Sequence, residues 1–292
     1  MLLAVPNFSE GRDGGRIEAI STAFATGAAL LDTHSDPVHN RTVLTLSGPS
    51  DSLEDALANG ARACAEAIDM RQHDGAHPAV GALDVCPVVW LRTQDRDAAR
   101  AEALAAARGI AAQAHVPVFL YGELANHPSR RERAFFRAGG LVELRRRLDA
   151  GELRPDFGPA EPHPSAGATL VTARPPLAAF NVELEGATIE VVREIVDRLR
   201  ESGGGLPGVR ALGIDLGRGR TQVSTNVHDP IAVPLAVVIE RVGALAAARG
   251  AGLVAAEIVG LVPEASLDGL PEDPPLSGFD PARQVIERRV RV

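Results

Sequence analysis

The chain has 292 residues, of which 45% are apolar and 23% charged, and a formal net charge of -8; this composition is typical of a soluble globular protein. All 30 basic residues are arginine, which excludes mechanisms that need a lysine, among them phosphate-loop ATPases and pyridoxal enzymes. The negative charge and the scattered arginines also argue against a nucleic-acid partner.

The sequence lacks the features of membrane and secreted proteins. No apolar run reaches the ~20 residues of a membrane helix, and the N-terminus lacks the charged head and long apolar centre of a signal peptide. The two cysteines, Cys64 and Cys86, are too few for a disulfide scaffold and fit a reducing environment. We therefore expect a cytoplasmic protein with no membrane partner.

Apolar periodicity in the first half predicts eight elements in the order strand, helix, strand, strand, helix, strand, helix, strand. Their predicted ranges are residues 2–5, 17–24, 28–32, 42–46, 53–68, 85–91, 95–115 and 116–121. Residues 49–52 offer side chains that cap the start of the second helix. Residues 7–12 and 34–41 are predicted to be polar loops, and residues 130–148 an arginine-rich helix.

The second half repeats the order strand, helix, strand, strand, helix, strand. The predicted ranges are residues 178–184, 188–201, 209–215, 221–227, 234–249 and 253–259. We therefore predict an α+β protein of two tandem ferredoxin-like modules, each of βαββαβ type, with additional elements. The expected domains are residues 1–173 and 174–292, with residues 270–292 as a peripheral tail.

Titratable side chains crowd a predicted loop just before the strand at residues 85–91. His73, Asp74, His77 and Asp84 all lie in it, and histidine is the side chain whose ordinary pKa lies nearest neutrality. Pro78 restricts His77 to an extended backbone, which helps to hold its ring in place. His77 is therefore the leading acid/base candidate.

Two other interpretations of this loop remain open. In the first, His77 has only a structural role and caps the turn by bonding a backbone carbonyl. The His-x-x-x-His spacing of His73 and His77 suits a zinc site on a helix, although Gly75 and Pro78 oppose a helix here.

A second polar loop, residues 34–41, contains His34, Asp36, His39, Asn40 and Arg41. It joins two predicted strands, so these side chains are expected to face the same cleft as His77. The planar guanidinium of Arg41 suits a substrate carboxylate. The alternative is a solvated loop with an Asp-Pro turn.

Eight stretches, taken together and in chain order, resemble the glutamate formiminotransferase family over about residues 1–265. One is the loop around His77, and the others are residues 5–11, 40–43, 121–123, 155–159, 179–181, 222–226 and 259–263. No single stretch is decisive, but eight in register are specific as a set.

The resemblance implies transfer of a formimino group between tetrahydrofolate and glutamate, without a metal, in a homodimer. It implies that His77 is catalytic, and we expect Asp84 or Asp36 to orient its ring. The expected substrate-binding residues are Asn7, Glu10, His34, Asn40 and Arg41. The cyclodeaminase domain that some family members carry is absent from this sequence.

The resemblance also reassigns residues 158–167, which from the residues alone are better interpreted as a linker between modules. The segment aligns with the family's folate-binding segment. Its members are Gly158, Pro159, Ala160, Glu161, Pro162, His163, Pro164, Ser165, Ala166 and Gly167.

Three departures from the family pattern bear on substrate choice. His34 stands in place of an aspartate, Val38 replaces another, and Ala79 replaces the arginine after His-Pro. A smaller amino acid such as glycine is then an alternative acceptor. The alternatives in function are a folate-binding homologue without transferase activity, and a metal-assisted amidine or amide hydrolase that uses His73, His77, His34 and Asp36.

Overall fold

The structure is a computed structural model that describes residues 1–49 and 51–290. The chain divides into two compact units, with the boundary between Pro175 and Pro176. The described strands are β1 (Leu2–Ala4), β2 (Asn7–Phe8), β3 (Ala29–Asp36), β4 (Arg41–Gly48), β5 (Leu83–Trp90), β6 (Val118–Leu120), β7 (Thr169–Arg174), β8 (Ala178–Glu185), β9 (Val209–Gly217), β10 (Arg220–Val227) and β11 (Gly252–Val259). The described α-helices are α1 (Gly14–Phe24), α2 (Leu53–Ala67), α3 (Arg96–Ala114), α4 (Ala134–Arg137), α5 (Gly140–Asp149), α6 (Ile189–Leu199), α7 (Leu235–Ala247), α8 (Pro281–Gln284) and α9 (Ile286–Arg289). The predicted α+β class is confirmed.

The sheet of the first unit has antiparallel and parallel halves. β1 and β2 follow each other and both lie between β4 and β5, with antiparallel pairing on each side. β3 pairs antiparallel with β4 and forms one edge. Beyond β5 the sheet continues in parallel through β7 to β6. Strand β5, which directly follows the His77 loop, therefore lies inside the sheet and is buried along its whole length.

Two apolar clusters pack against this sheet. The larger joins α1, α2 and α3 to side chains such as Phe8, Leu44 and Val88. The smaller joins α4 and α5 to Val85 and Phe119. Because side chains alternate between the faces of a strand, Val85 and Val88 of β5 belong to different clusters, so β5 is held from both sides.

The second unit has a four-stranded antiparallel sheet in the order β11-β8-β10-β9. Helices α6 and α7 bury their apolar residues in one cluster with the sheet, including Phe180, Ile195 and Val238. The chain order is strand, helix, strand, strand, helix, strand.

The structure corrects several predicted elements of the first unit. The single helix predicted over residues 130–148 is two helices, α4 and α5, because Gly139 and Gly140 adopt positive φ between them. Strand β7 was not predicted at all, although it lies between β5 and β6. The predicted loops also contain strand: β2 lies within residues 7–12, and β3 continues through His34 to Asp36.

The start of α2 is capped differently from the prediction. The Ser52 hydroxyl donates to the Pro49 carbonyl rather than capping the helix, and Ser50 lies outside the described residues. The buried carboxylate of Glu102, on α3, instead accepts hydrogen bonds from the backbone N–H groups of Asp51, Leu53 and Glu54 at 2.6, 2.8 and 2.8 Å. The helix N-terminus thus receives a carboxylate from a distant part of the chain.

Candidate active site

The turn between β3 and β4 forms one wall of the site. Oδ1 of Asp36 accepts from the backbone N–H groups of Val38 and His39 at 2.7 and 2.9 Å, which is the local bonding that makes Asp a turn residue. Asn40 then takes a left-handed conformation with φ 47°, which asparagine tolerates. The turn delivers Arg41 to the first position of β4.

The loop before β5 is attached to this turn. Nδ2 of Asn40 donates to the Asp74 carbonyl at 3.2 Å and lies 3.4 Å from Nδ1 of His73. Gly75 passes so close that a Cβ there would lie 2.4 Å from the His39 carbonyl oxygen. Only glycine allows this approach without moving the backbone, so the two polar loops predicted separately are brought together.

The His77 ring contacts Arg41. Nη1 of Arg41 lies 2.7 Å from Nε2 and 2.9 Å from Nδ1 of the ring, and Nδ1 lies 2.9 Å from the Pro78 carbonyl. A carbonyl only accepts, so Nδ1 carries the proton and Nε2 holds the lone pair that accepts from Arg41. His77 therefore presents Nε2 as its basic nitrogen.

The surroundings of His77 favour the neutral ring. Burial, followed by the positive charges of Arg41, Arg137 and Arg133, holds the pKa of His77 well below its usual 6.5. Burial also lowers the pKa of His73, which is half-buried. At neutral pH the His77 ring is therefore neutral.

Neither predicted carboxylate orients the His77 ring. Oδ2 of Asp36 lies 2.5 Å from Nδ1 of His39. Asp84 pairs with Arg137 and accepts from the Val80 backbone N–H at 2.9 Å. In the described part of the chain the ring is held by Arg41 and Pro78 instead.

Buried arginines give the site an excess of positive charge. Arg41 and Arg133 interact electrostatically with Arg137 and with Asp84, and Arg133 also with Glu132. Burial and the charge of Arg137 lower the pKa of Arg41 to about 9, so the guanidinium still carries its charge at neutral pH. The Nε groups of Arg41 and Arg137 are buried and have no hydrogen-bond partner within residues 1–49 and 51–290.

Such unpartnered buried donors are uncommon. Two of them, in a region with more arginines than carboxylates, fit an anionic ligand. Arg133 and Arg137 were missed as site residues because residues 130–148 were interpreted only as a helix. The available signal was charge imbalance, since residues 130–137 contain four arginines and one glutamate.

The other predicted substrate-binding residues occupy different positions. Asn7 is buried on β2, where its side-chain oxygen accepts from Nη2 of Arg41. Glu10 is buried and accepts from the N–H groups of Arg12 and Asp13 at 2.9 and 3.1 Å. Asn40 also accepts from the Gly11 N–H at 2.9 Å. These side chains support the loops around Arg41.

The strand pairing of His34 and the hydrogen bonds of Glu10 involve residues other than His77. His34 lies on β3 opposite Val43, with its side chain half-buried. Burial alone would raise the pKa of Glu10, but the backbone N–H groups and Arg16 outweigh it and lower that pKa. The Glu10 carboxylate is therefore occupied near the start of α1.

The predicted folate segment adjoins the His77 loop. The N–H of Ala82 donates to the Ala166 carbonyl at 2.8 Å, and the N–H of Met70 to the Ser165 carbonyl at 2.7 Å. Gly167 has φ +71°, and a Cβ there would lie 2.3 Å from the Val80 carbonyl oxygen. The segment is therefore packed against the loop, unlike a free linker.

The described residues offer neither a metal cluster nor a membrane-spanning helix. Across residues 1–49 and 51–290, no group of three or more His, Cys, Asp or Glu side chains is placed to share a metal ion. No helix in the same residues has the length and apolar character needed to cross a membrane.

Comparison with known proteins decides the family. The profile described as "Formiminotransferase domain, N-terminal subdomain" matches residues 1–174, and that described as "Formiminotransferase domain" matches residues 179–269. The chain belongs to the formiminotransferase family. The resemblance seen in the sequence is thereby confirmed.

The chain matches some relatives over nearly their whole length and others over about half of it. A glutamate formimidoyltransferase from Streptococcus pyogenes is 34% identical over 98% of this chain and 97% of its own length, and one from Thermoplasma acidophilum is 36% identical over 98% and 96%. The formimidoyltransferase-cyclodeaminase of Rattus norvegicus is 40% identical over 89% of this chain. The chain spans about half the length, 49%, of that longer relative.

Proposed function

We propose that this formiminotransferase-family protein moves a formimino group between N-formimino-L-glutamate, or a related formimino amino acid, and tetrahydrofolate. The observation that carries the proposal is the neutral His77 ring beside buried arginines that lack full pairing. A neutral imidazole suits proton removal from an amine, and the arginines suit the carboxylates of the amino acid.

Nε2 of His77 is the proposed proton acceptor. As the amine nitrogen bonds to the formimino carbon, its proton passes to Nε2, and the tetrahedral adduct then collapses by releasing the other nitrogen. Before this step the N–H of Arg41 must leave Nε2, to which it donates at 2.7 Å. A substrate carboxylate bound by Arg41 draws the guanidinium away and so exposes the base.

Arg41 and Arg137 are the proposed carboxylate ligands. Each has one buried N–H that finds no partner in the described part of the chain, and a guanidinium binds a carboxylate through two N–H groups. Two such sites favour a dicarboxylate over glycine. Arg137 and Arg133 thus supply the positive charge that is lost where Ala79 replaces the family's arginine.

Residues 158–167 are the proposed folate-binding segment. Their packing against residues 70–82 supports this proposal. Gly167→Leu would test it poorly, because the positive φ and the nearby Val80 carbonyl make that substitution strained in the fold itself. Amide hydrogen exchange with and without tetrahydrofolate is better, and unchanged exchange across the segment would remove it from the site.

The remaining family expectations belong to the same proposal. We infer that residues 1–173 and 174–292 are the two formiminotransferase subdomains, built as tandem ferredoxin-like modules with additional elements, and that the protein is a cytoplasmic homodimer. The strand orders of the two sheets support the module assignment. Light scattering of the purified protein measures the oligomeric state.

The central test is turnover with tetrahydrofolate and a panel of formimino amino acids that includes the glutamate and glycine derivatives. The glutamate derivative is expected to be the better substrate. His77→Asn should lower turnover ~100-fold or more, because it removes the proton acceptor, whereas folate affinity stays nearly unchanged. His73→Asn is the matched histidine control and should cost much less.

Other outcomes would contradict the proposal. Normal turnover by His77→Asn would remove the histidine from the chemistry. Calorimetric folate binding without turnover of any donor would indicate a binding homologue. Stoichiometric zinc, with amidine or amide hydrolysis lost to chelators, would indicate the hydrolase alternative.

A further inference from the structure

Asp36 and His39 form a second histidine centre beside His77. Oδ2 of the carboxylate lies 2.5 Å from Nδ1 of His39, while Oδ1 is fixed by the N–H groups of Val38 and His39. Burial alone would raise the pKa of Asp36, but the hydrogen bonds from the ring and backbone of His39 outweigh it and lower that pKa. The ring is therefore held by an ionised carboxylate that the turn itself positions.

The other nitrogen of this ring is buried and unpaired. His39 exposes only 7% of its surface. With Nδ1 at the carboxylate, Nε2 remains, and it has no hydrogen-bond partner among the described residues. Buried polar atoms are nearly always paired, and exceptions call for an explanation such as a functional role. The His39 and His77 rings meet edge to face, with centroids 6.1 Å apart.

The two rings face opposite charges. His77 meets the guanidinium of Arg41, which opposes a proton on that ring, whereas His39 meets the carboxylate of Asp36. The charged and titratable groups around this pair are Asp36 and Arg41 of the hairpin, His73 and His77 of the loop, Arg133 and Arg137 at α4, and Arg12, whose Nε donates to the Pro37 carbonyl at 2.8 Å.

We propose that His39, positioned by Asp36, gives a proton to the nitrogen that leaves the transferred carbon, while His77 takes the proton from the nitrogen that attacks it. This assignment rests on the transferase activity proposed above. The new C–N bond forms as the attacking nitrogen loses its proton to Nε2 of His77. When the old C–N bond breaks, its electron pair goes to the departing nitrogen, which takes the proton from Nε2 of His39.

One proton is gained at His77 and one lost at His39 in each turnover, and exchange with water restores both rings. In the reverse reaction the roles are exchanged. A separate acid is useful because the arginines around His77 oppose the protonated form that would have to return the proton. His39 is then a catalytic residue, and Asp36 a positioning residue.

The test is the pH profile of turnover for His39→Gln and Asp36→Asn, measured with saturating tetrahydrofolate and formimino donor. His39→Gln should lower kcat ~100-fold with little change in KM, and should remove the fall in kcat at high pH that reports a required acid. Asp36→Asn keeps an oxygen for the turn amides and should lower kcat less, in the same direction. His127→Gln, at an exposed turn, is the control.

The outcomes separate the two proposals. A folded His39→Gln protein with normal kcat, or with reduced kcat but the high-pH fall intact, overturns the role of His39 and leaves the transferase proposal standing. Absence of turnover by the unmodified protein with every formimino donor overturns the transferase proposal itself. If His39→Gln does not fold, the Asp36→Asn profile decides. The acid is still present in that variant but has lost the carboxylate that favours its protonated form, so the high-pH fall in kcat should move to lower pH. A fall that does not move overturns the proposal.

Discussion

At the scale of single residues, the charge of Arg41 should contribute to the lowered pKa of His77. Removing it in Arg41→Met should raise the pKa of His77, although burial, the larger cause, should keep it below 6.5. Imidazole NMR of the folded protein measures this directly, with His127 as the exposed control. An unchanged or lower His77 pKa would contradict the geometry that pairs the two side chains.

The same lowered pKa has a consequence for stability. The unfolded chain binds a proton at His77 more readily than the folded one, so this group contributes stability that is present above pH ~6.5 and is lost as pH falls toward the lowered folded value. His77→Asn should therefore lessen the loss of stability below pH ~6.5. Urea unfolding at a series of pH values would show a steeper or equal loss if this is wrong.

The pairing of Asp84 with Arg137 gives a further residue-scale prediction, because both side chains are nine-tenths or more buried. Asp84→Asn leaves the Arg137 charge unpaired, and breaking a buried pair costs about 3 to 5 kcal/mol. Urea unfolding should show this loss, whereas Glu66→Gln, which removes an exposed pair with Arg62, should change stability little. Equal effects of the two variants would mean that the buried pair is not special.

At the scale of elements, the start of α2 depends on a side chain from α3. Glu102→Ala removes the acceptor of three backbone N–H groups and should lower the free energy of unfolding by about 2 kcal/mol. Glu102→Gln keeps one oxygen and should cost less. Denaturant unfolding of both variants checks the order, and an Ala variant no less stable than the Gln variant would contradict it.

Elements were predictable where one local signal decided them. The period of α2 and the apolar run of β5 placed them within two residues of their observed ends, because each buries a face that the sequence marks. The cap of α2 was not predictable, since Glu102 is about fifty residues away along the chain. Strand β7 was missed for a similar reason: its place between β5 and β6 depends on pairing with both, which no local pattern shows.

The site shows the same division between local and distant information. His77, Asn40 and Arg41 could be selected from the sequence because histidine beside proline and arginine beside asparagine sit in dense polar loops. Their partners could not be: the carboxylates expected near His77 bind His39 and Arg137 instead. Which carboxylate meets which cation is fixed by the sheet register and by the turn, and the sequence does not display either.

At the scale of the whole molecule, each unit has its own sheet and its own apolar clusters, so a fragment of residues 1–175 should fold cooperatively. It ends just after β7. A fragment of residues 1–168 lacks that strand, whose Leu170, Val171 and Ala173 are fully buried, and it leaves β5 and β6 without the partner between them. The shorter fragment should therefore lose cooperative unfolding and bind a hydrophobic dye.

The two fragments differ by only seven residues, so the comparison isolates β7 from chain length. Denaturant titrations followed by fluorescence, with imidazole NMR of His77, would measure both cooperativity and the state of the site. A lowered His77 pKa in the 1–175 fragment would show that the first unit alone sets the charge environment of the ring, because every cause of that shift lies within it. If neither fragment folds, or if both fold equally well, the first unit is not an independent unit closed by β7.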